Sequence, residues 1–427
     1  MAAKKDSAGR PVVVVTGMGI VTSLGTGKDE NWARLTGGVS GIRNITRFPT
    51  DGLRTRFAGT VDFVPLNDWS TPALSERLAQ IAAEEALAES GIGIRGDFPG
   101  PLFLAVPPIE LEWPQRLKLA QVGADGDDTL TYQHALAAAR TGQFKSYHER
   151  FMFMSVADHL AEQFGTKGSP ISLSTACASG ATAIQLGVEA IRRGETDAAL
   201  CIGSDGSVNP EALIRFQLLS ALSMSTEPPE QASKPFSKNR DGFVMAEGSA
   251  ALVLESLDGA KARGAKILGV LEGCGEMTDA FHRTRSSPDG KPIVGCINSA
   301  IADAGLSPDD IDHINAHGTS TPENDKMESL GVITVFGERA TQIPISSNKS
   351  MIGHTLSAAG AIEAVVSLMT LQNQRIPPTI NHRVPDPAIP LDVVPNEARD
   401  ARVTHVISNS FGFGGQNVSL VMGGEPQ

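Results

Sequence analysis

The sequence predicts an α/β protein built from two copies of one unit. Two internal matches and the small-residue character of two long helices carry this prediction. Ile171-Ser-Leu-Ser-Thr-Ala-Cys177-Ala-Ser-Gly-Ala-Thr-Ala-Ile and Ile345-Ser-Ser-Asn-Lys-Ser-Met351-Ile-Gly-His-Thr-Leu-Ser-Ala-Ala-Gly share one grammar, a short strand, a polar turn and a helix rich in Ala and Gly. Gly242–Leu254 matches Ser410–Met422 as a glycine turn followed by an apolar strand. Repetition of whole supersecondary units is the mark of duplication, and the junction falls near Glu255–Gly264. Small residues on both helices let them lie close together in a central layer, covered on each side by sheet.

In chain order, Pro11–Val15 is a β-branched run ending in Thr16-Gly17-Met18-Gly19, which reads as a buried strand entering a tight turn. Ser70 and Thr71 before Pro72 signal a helix start. Leu74, Leu78, Ile81 and Ala82 mark its apolar face, and Gly91 closes it after about 20 residues. Pro99–Lys145 is the least patterned stretch and is expected to form a variable cap or pocket wall. Pro377-Pro378 and Pro385-Asp-Pro387 mark an extended loop near the end. The halves are expected to divide as 1–258 and 259–427.

With 427 residues, 41% hydrophobic and 20% charged, the chain has the balance of a folded globular protein. A net charge of −12 without a basic cluster argues against nucleic acid as a partner. No apolar run is long enough to cross a bilayer, and Met1–Arg10 lacks a secretory apolar core. A cytoplasmic protein without membrane insertion is expected. The four cysteines show no C-x-x-C spacing, so reduced thiols are expected and the question becomes which one reacts.

Cys177, in Ser174-Thr-Ala-Cys-Ala-Ser-Gly180, falls at a strand-to-helix turn. Free N–H groups and the positive helix end would stabilise a thiolate there; the alternative is a small cysteine packed under the helix. Cys201, Cys274 and Cys296 lie in apolar or helical contexts and read as structural. His317 emerges from the strand-like Ile311–Ala316 into the hydroxyl-rich Gly318-Thr-Ser-Thr-Pro322, and His354 starts the second small-residue helix, five residues after Lys349. Each histidine reads equally as structural or functional, whereas His313, His382 and His405 have no comparable setting. Ser410-Phe-Gly-Phe-Gly-Gly415 suits close approach of backbone to a ligand and donation of N–H groups to an oxyanion. Gly17-Met-Gly-Ile-Val-Thr22 lacks the third glycine of a dinucleotide fingerprint, and the chain carries no Walker lysine motif, H-E-x-x-H or G-x-S-x-G.

Together and in this order, these motifs resemble the β-ketoacyl-[acyl carrier protein] synthases of the elongating type I/II (KAS II-like) group, condensing enzymes of the thiolase superfamily. The resemblance runs through Val14-Val-Thr-Gly-Met-Gly, Thr175-Ala-Cys-Ala-Ser-Gly, Lys234–Gly248, Ala316-His-Gly-Thr-Ser-Thr-Pro, Ser347-Asn-Lys-Ser-Met-Ile-Gly-His and Asn409-Ser-Phe-Gly-Phe-Gly-Gly. It implies a five-layered αβαβα fold of two pseudo-duplicated halves, usually in a homodimer, and fatty-acid synthesis without metal or organic cofactor. It makes Cys177 the acyl-accepting nucleophile, the N–H groups of Cys177 and Phe413 the oxyanion hole, and His317 and His354 donors to the malonyl thioester carbonyl. Lys349 becomes electrostatic support paired with Glu328, beside Asp325. Thr319 and Thr321 become the contacts of a phosphopantetheine arm delivered by an acyl carrier protein, and Phe413 and Phe216 the gate and wall of the acyl pocket.

The chain departs from the family pattern in places. Leu104-Ala-Val-Pro-Pro-Ile-Glu110 replaces a glycine-rich run, Ser146-Tyr-His-Glu-Arg150 an apolar loop, and Ser220 and Ala221-Leu-Ser-Met-Ser225 stand where relatives carry carrier-docking arginines. Altered walls around an intact catalytic set point to a specialised paralogue, with docking by Arg215, Lys145 or Arg150 after ordinary drift as the alternative. A non-catalytic chain-length-factor-like partner would lack the nucleophile, a thiolase would carry a C-terminal Cys-x-Gly, and a cysteine hydrolase has less use for two histidines.

Overall fold

The computed structural model describes residues 5–6, 8–66, 69–124, 126 and 130–425. Residues 1–4 and 7 of the polar leading stretch, and 125 and 127–129 of the cap stretch, lie outside them. One twelve-stranded sheet runs through the chain, and its two halves, the first and second sheets, are built mainly from β1 (Val13–Thr22), β2 (Leu102–Ala105), β3 (Ile171–Leu173), β4 (Ala198–Asp205), β5 (Gly248–Ser256), β6 (Gly269–Thr278), β7 (His313–Asn315), β8 (Pro344–Ser346), β9 (His405–Phe411) and β10 (Gln416–Gly423). Their order is β1-β5-β4-β2-β3 in the first half and β6-β10-β9-β7-β8 in the second. The pairing repeats as well: antiparallel for the first three strands of each order and parallel for the last three. The halves meet where Val13–Val15 of β1 pairs antiparallel with Gly269–Leu271 of β6.

Ten helices position the site: α1 (Thr71–Ser90), α2 (Trp113–Ala124), α3 (Tyr132–Arg140), α4 (Ser155–Phe164), α5 (Ser179–Arg192), α6 (Pro210–Leu218), α7 (Lys291–Asp303), α8 (Pro322–Phe336), α9 (Lys349–Ile352) and α10 (Ala359–Asn373). α1 and α4 cover the outer face of the first sheet, and α7 and α8 that of the second. α5 and α10 lie between the sheets in one core. This is the five-layered αβαβα arrangement that the resemblance implies. The small residues explain the middle layer, because a Cβ on Gly180 would stand 2.6 Å from the Ala361 nitrogen and one on Gly360 2.5 Å from that of Ala181.

α1 begins and ends where read, with Ser70 accepting from the Ala73 N–H and Gly91 closing in the left-handed conformation. The turn expected at Thr16–Gly19 is absent, since β1 continues through it with only a shift in register at Thr16. Those glycines serve close approach instead. A Cβ on Gly17 or Gly19 would lie 2.0 or 1.9 Å from the carbonyl oxygens of Ala86 and Ala82 on α1. Among the described residues no helix is long and apolar enough to cross a membrane.

Candidate active site

Each half delivers its chemistry on a turn that leaves the end of a strand. After β3, Ala176 adopts φ 49° and a 3-10 turn over Ala176–Ala178 leads into α5, which places Cys177, 7% exposed, at the helix start. After β7 the chain passes through His317 and Gly318 before Thr321 caps α8 by accepting from Asn324 N–H. After β8 comes the short α9, then His354. The turn Gly412–Gly415 between β9 and β10, with Gly414 and Gly415 at φ 90° and 91°, carries Phe413.

These turns converge. Cys177 Sγ and one ring nitrogen each of His317 and His354 lie within 4.8 Å of one another, and the Phe413 N–H lies close enough to the thiol to favour its charged form. The His317 and His354 rings meet edge-on at 5.3 Å between centroids, flanked by Phe411 at 5.9 Å and Phe243 at 5.3 Å. Phe216 of α6 stacks on Phe243 in turn. Hydrogen bonding assigns the tautomers. His354 Nδ1 accepts from the Leu356 N–H at 3.3 Å, and His317 Nδ1 faces the Lys349 ammonium at 3.4 Å. Both protons therefore sit on Nε2, so each ring offers a donor.

Lys349 is buried. Its Nζ donates to the His317 carbonyl at 2.7 Å and forms an ion pair with Glu363. This corrects the expected pairing with Glu328. Glu328 instead accepts from the N–H groups of His317 at 2.9 Å and Gly318 at 2.8 Å, bracing the loop that carries the histidine. Asp325, also buried, accepts from the Phe236 N–H at 2.8 Å and lies 3.7 Å from Arg240. Glu363 was missed, although it is the one charged side chain in a helix buried from Ala359 to Leu371.

Burial dominates the electrostatics. It pushes the Cys177 thiol up to about 11, against the Phe413 N–H and the Lys349 charge, so the resting group is a thiol and not the thiolate expected at a helix start. Burial and then Lys349 hold His317 and His354 well below the ordinary imidazole value, so both stay neutral near pH 7. Burial also raises Glu328 and Glu363 to about 7. The Cys-His-His spacing would admit a metal ion, but burial and the Lys349 charge oppose a cation. The other thiols are free, and burial raises Cys274 and Cys296 to about 12.

Two cavities meet at Cys177. One of about 340 Å³ is lined by His317, Thr319, Thr321, His354, Phe216 and Phe413, among others; the Thr319 and Thr321 hydroxyls lie 2.9 Å apart. The second, about 210 Å³, runs past Phe216, Phe413 and Asp205 to Pro107, Pro108 and Glu110–Glu112, so the unpatterned stretch does form a pocket wall. Carboxylates were not foreseen there. Glu112 is buried and accepts from the Thr71 N–H at 2.6 Å, while Glu211 accepts from Trp113.

Models of the β-ketoacyl synthase N-terminal domain match residues 10–96 and 119–260, and of the β-ketoacyl synthase C-terminal domain residues 268–383. The 3-oxoacyl-[acyl-carrier-protein] synthase 2 of Coxiella burnetii is 35% identical, with 96% of this chain and 98% of the relative aligned. The tetracenomycin polyketide synthase ketoacyl synthase alpha subunit of Streptomyces glaucescens is also 35% identical, covering 96% of each chain. A ketosynthase solved with its type II polyketide acyl-carrier protein and bound to a hexaketide superposes with TM-score 0.85 at 33% identity, over 97% of this chain and 100% of that one. With its fold, duplicated halves and convergent turns accounted for, the chain belongs to the β-ketoacyl synthase family, as a KAS II-like, acyl-transferring condensing enzyme.

Proposed function

We propose that the chain catalyses decarboxylative condensation of an acyl group held on Cys177 with malonyl-acyl carrier protein, giving 3-ketoacyl-carrier protein for fatty-acid synthesis. The observation that carries this reading is one buried thiol facing two neutral imidazoles that both present Nε2–H. In the first step Cys177 sulfur bonds to the acyl carbon, the carrier thiol leaves, and the cysteine proton passes to it. The N–H groups of Cys177 and Phe413 hold the oxyanion. In the second, the malonyl thioester carbonyl accepts from His317 and His354. The C–CO₂ bond breaks, and the pair stabilises the enolate oxygen as the carbanion carbon bonds to the acyl carbon. The C–S bond to Cys177 breaks, and the thiolate released takes one proton from solvent, replacing the one that left with the carrier thiol.

Lys349, held by Glu363, supports this charge, and Glu328 and Asp325 brace the loop. Thr319 and Thr321 line the cavity that takes the phosphopantetheine arm, which arrives with the substrate; no metal or organic cofactor enters. Phe413 gates the passage to the acyl cavity beside Phe216. A second copy of this chain is the expected partner, along β3, which ends the sheet with Ile171 43% exposed.

A polyketide chain is the second reading, supported by an identity to the tetracenomycin polyketide synthase subunit as high, at 35%, as that to the 3-oxoacyl-[acyl-carrier-protein] synthase 2. Altered walls at Leu104–Glu110 support a specialised acyl chain or carrier in either case. Intact-protein mass spectrometry with carriers bearing saturated and poly-keto acyl groups tests this. Adducts of one acyl mass with saturated donors, lost in Cys177→Ala, support fatty acyl elongation. Adducts only with keto-bearing donors favour the polyketide reading, and none with any donor counts against the enzyme.

A further inference from the structure

Of the three cationic residues nominated in the sequence for docking, two have acidic partners, and the third, exposed Arg150, lines neither cavity at Cys177. Arg215 pairs with Glu110 at 2.8 Å, and Lys145 with Glu149 at 3.5 Å. The larger cavity is different. Arg283 and Arg285 both line it and are both exposed. Neither guanidinium has an ion pair or hydrogen bond among the described residues. In a chain of net charge −12, two guanidiniums without an ion pair stand together on one rim of the opening that leads to Cys177; of the carboxylates lining the same cavity, Asp279 is buried and held by backbone N–H groups and Glu323 lies on α8.

The loop that carries them is fixed. Buried Asp279 accepts from Phe281 N–H at 3.0 Å and from Ser287 N–H at 2.7 Å, closing the loop at both ends. The Arg283 carbonyl accepts from Gly414 N–H and the Gly415 carbonyl from Asp279 N–H, at 2.8 and 2.7 Å. The two arginines are thus tied by backbone to the turn that presents Phe413. Across the opening, Leu219 and Ser220 complete the rim, with Leu218 beside them 81% exposed. That side offers apolar surface where relatives carry arginine.

We infer that Arg283 and Arg285 form an anion subsite for the phosphate of a phosphopantetheinyl thioester, registering the arm as it enters. The inference rests on the condensing reading above. Guanidinium forks suit phosphate oxygens, and a subsite at the mouth draws the thioester inward toward Thr319, Thr321 and the histidines. The same phosphate chemistry occurs as the phosphodiester of a carrier protein and in coenzyme A.

The test measures Cys177 acylation with hexanoyl-carrier protein, hexanoyl-coenzyme A and the phosphate-free hexanoyl-N-acetylcysteamine, for wild type, Arg283→Ala/Arg285→Ala and Arg283→Lys/Arg285→Lys. The expected result is that the alanine pair raises KM about 30-fold for both phosphate-bearing donors, at least tenfold more than for the phosphate-free one. The lysine pair recovers part of that. Raising salt from 50 to 300 mM weakens the wild type more than the alanine pair. A uniform loss on all three donors would make the loop merely structural, and a loss with carrier protein alone would assign the arginines to the carrier's surface; either overturns the phosphate subsite. No change does so too. A wild type inert to every donor would overturn the condensing reading and this subsite with it.

Discussion

The two halves repeat one topology down to the backbone of a single turn, yet only one repeat keeps a nucleophile. In the first half, Ala176 at φ 49° opens the 3-10 turn Ala176–Ala178 and α5 begins at Ser179. In the second, Leu356 at φ 45° opens the turn Leu356–Ala358 and α10 begins at Ala359. Cys177 thus corresponds to Ser357. Left-handed backbone at a residue with a side chain costs about 1–3 kcal/mol, so both turns hold strain, but only that of the first half exposes a thiol to the cavity. The second half inserts α9 ahead of its turn. This places Lys349 and His354 in the site and leaves Ser357 with its N–H on Asp205 Oδ2 at 3.0 Å. Duplication supplied two turns, and the insertion divided them into a nucleophile half and a charge-stabilising half.

The largest effect falls on the nucleophile. Cys177→Ala should lower condensation about 10⁴-fold or more, whereas Cys177→Gln should lose condensation and keep malonyl decarboxylation, measured as CO₂ release. A harder test adds Ser357→Cys to Cys177→Ala. If the halves are divided as argued, no acyl adduct forms at position 357, because that side chain faces Asp205 and not the imidazoles. An adduct there by mass spectrometry would break the comparison.

The central layer should instead behave symmetrically. Gly180→Ala and Gly360→Ala each drive a Cβ against backbone nitrogen of the opposite helix, at 2.6 and 2.5 Å. Each should cost about 3 kcal/mol, equal within about 1 kcal/mol, by urea unfolding. A large difference would show that one helix yields and the other does not.

How much of this was legible depended on whether the signal was local. Ser70, the apolar spacing after it and Gly91 specify α1 through contacts within one helix, and strand-to-helix turns announce Cys177 and His317 in the same way. Thr16–Gly19 was misread because the reason for its glycines is α1, some 65 residues on; a close approach and a turn both select Gly. Lys349 was matched to Glu328 by motif proximity, but α10 carries Glu363 across the central layer to meet it. Arg283 and Arg285 fit no motif and became notable only when the fold placed them on the rim.

Acid stability separates the halves next. All three buried histidines among the described residues, His313, His317 and His354, lie in the second half. Burial lowers His313 to about 3, with its Nε2 3.0 Å from the Ser346 hydroxyl. Unfolding lets it bind a proton below its ordinary value of 6.5, so its share of stability is full at pH 7 and lost as pH falls toward 3. At pH 5 the loss is about 2 kcal/mol. His313→Gln should therefore reduce the drop in unfolding free energy between pH 7 and pH 5 by about that amount, and an unchanged drop would place the acid sensitivity elsewhere.

The smallest effect isolates the second half's charge. Glu363 holds the Lys349 ammonium against the His317 carbonyl, and Lys349 lies close enough to depress both imidazoles. Replacing Glu363 by Gln keeps the shape and removes the counter-charge, which frees the ammonium to shift. In the Cys177→Gln background, where the first half contributes no nucleophile, Glu363→Gln should slow CO₂ release about tenfold, or 1.4 kcal/mol. With Cys177 present, acylation should slow less than about threefold, because the larger influences on the thiol are burial and the Phe413 N–H, with Lys349 after them. Equal losses in the two assays would mean that the buried pair supports the whole site alike, and the halves would not be divided in their chemistry.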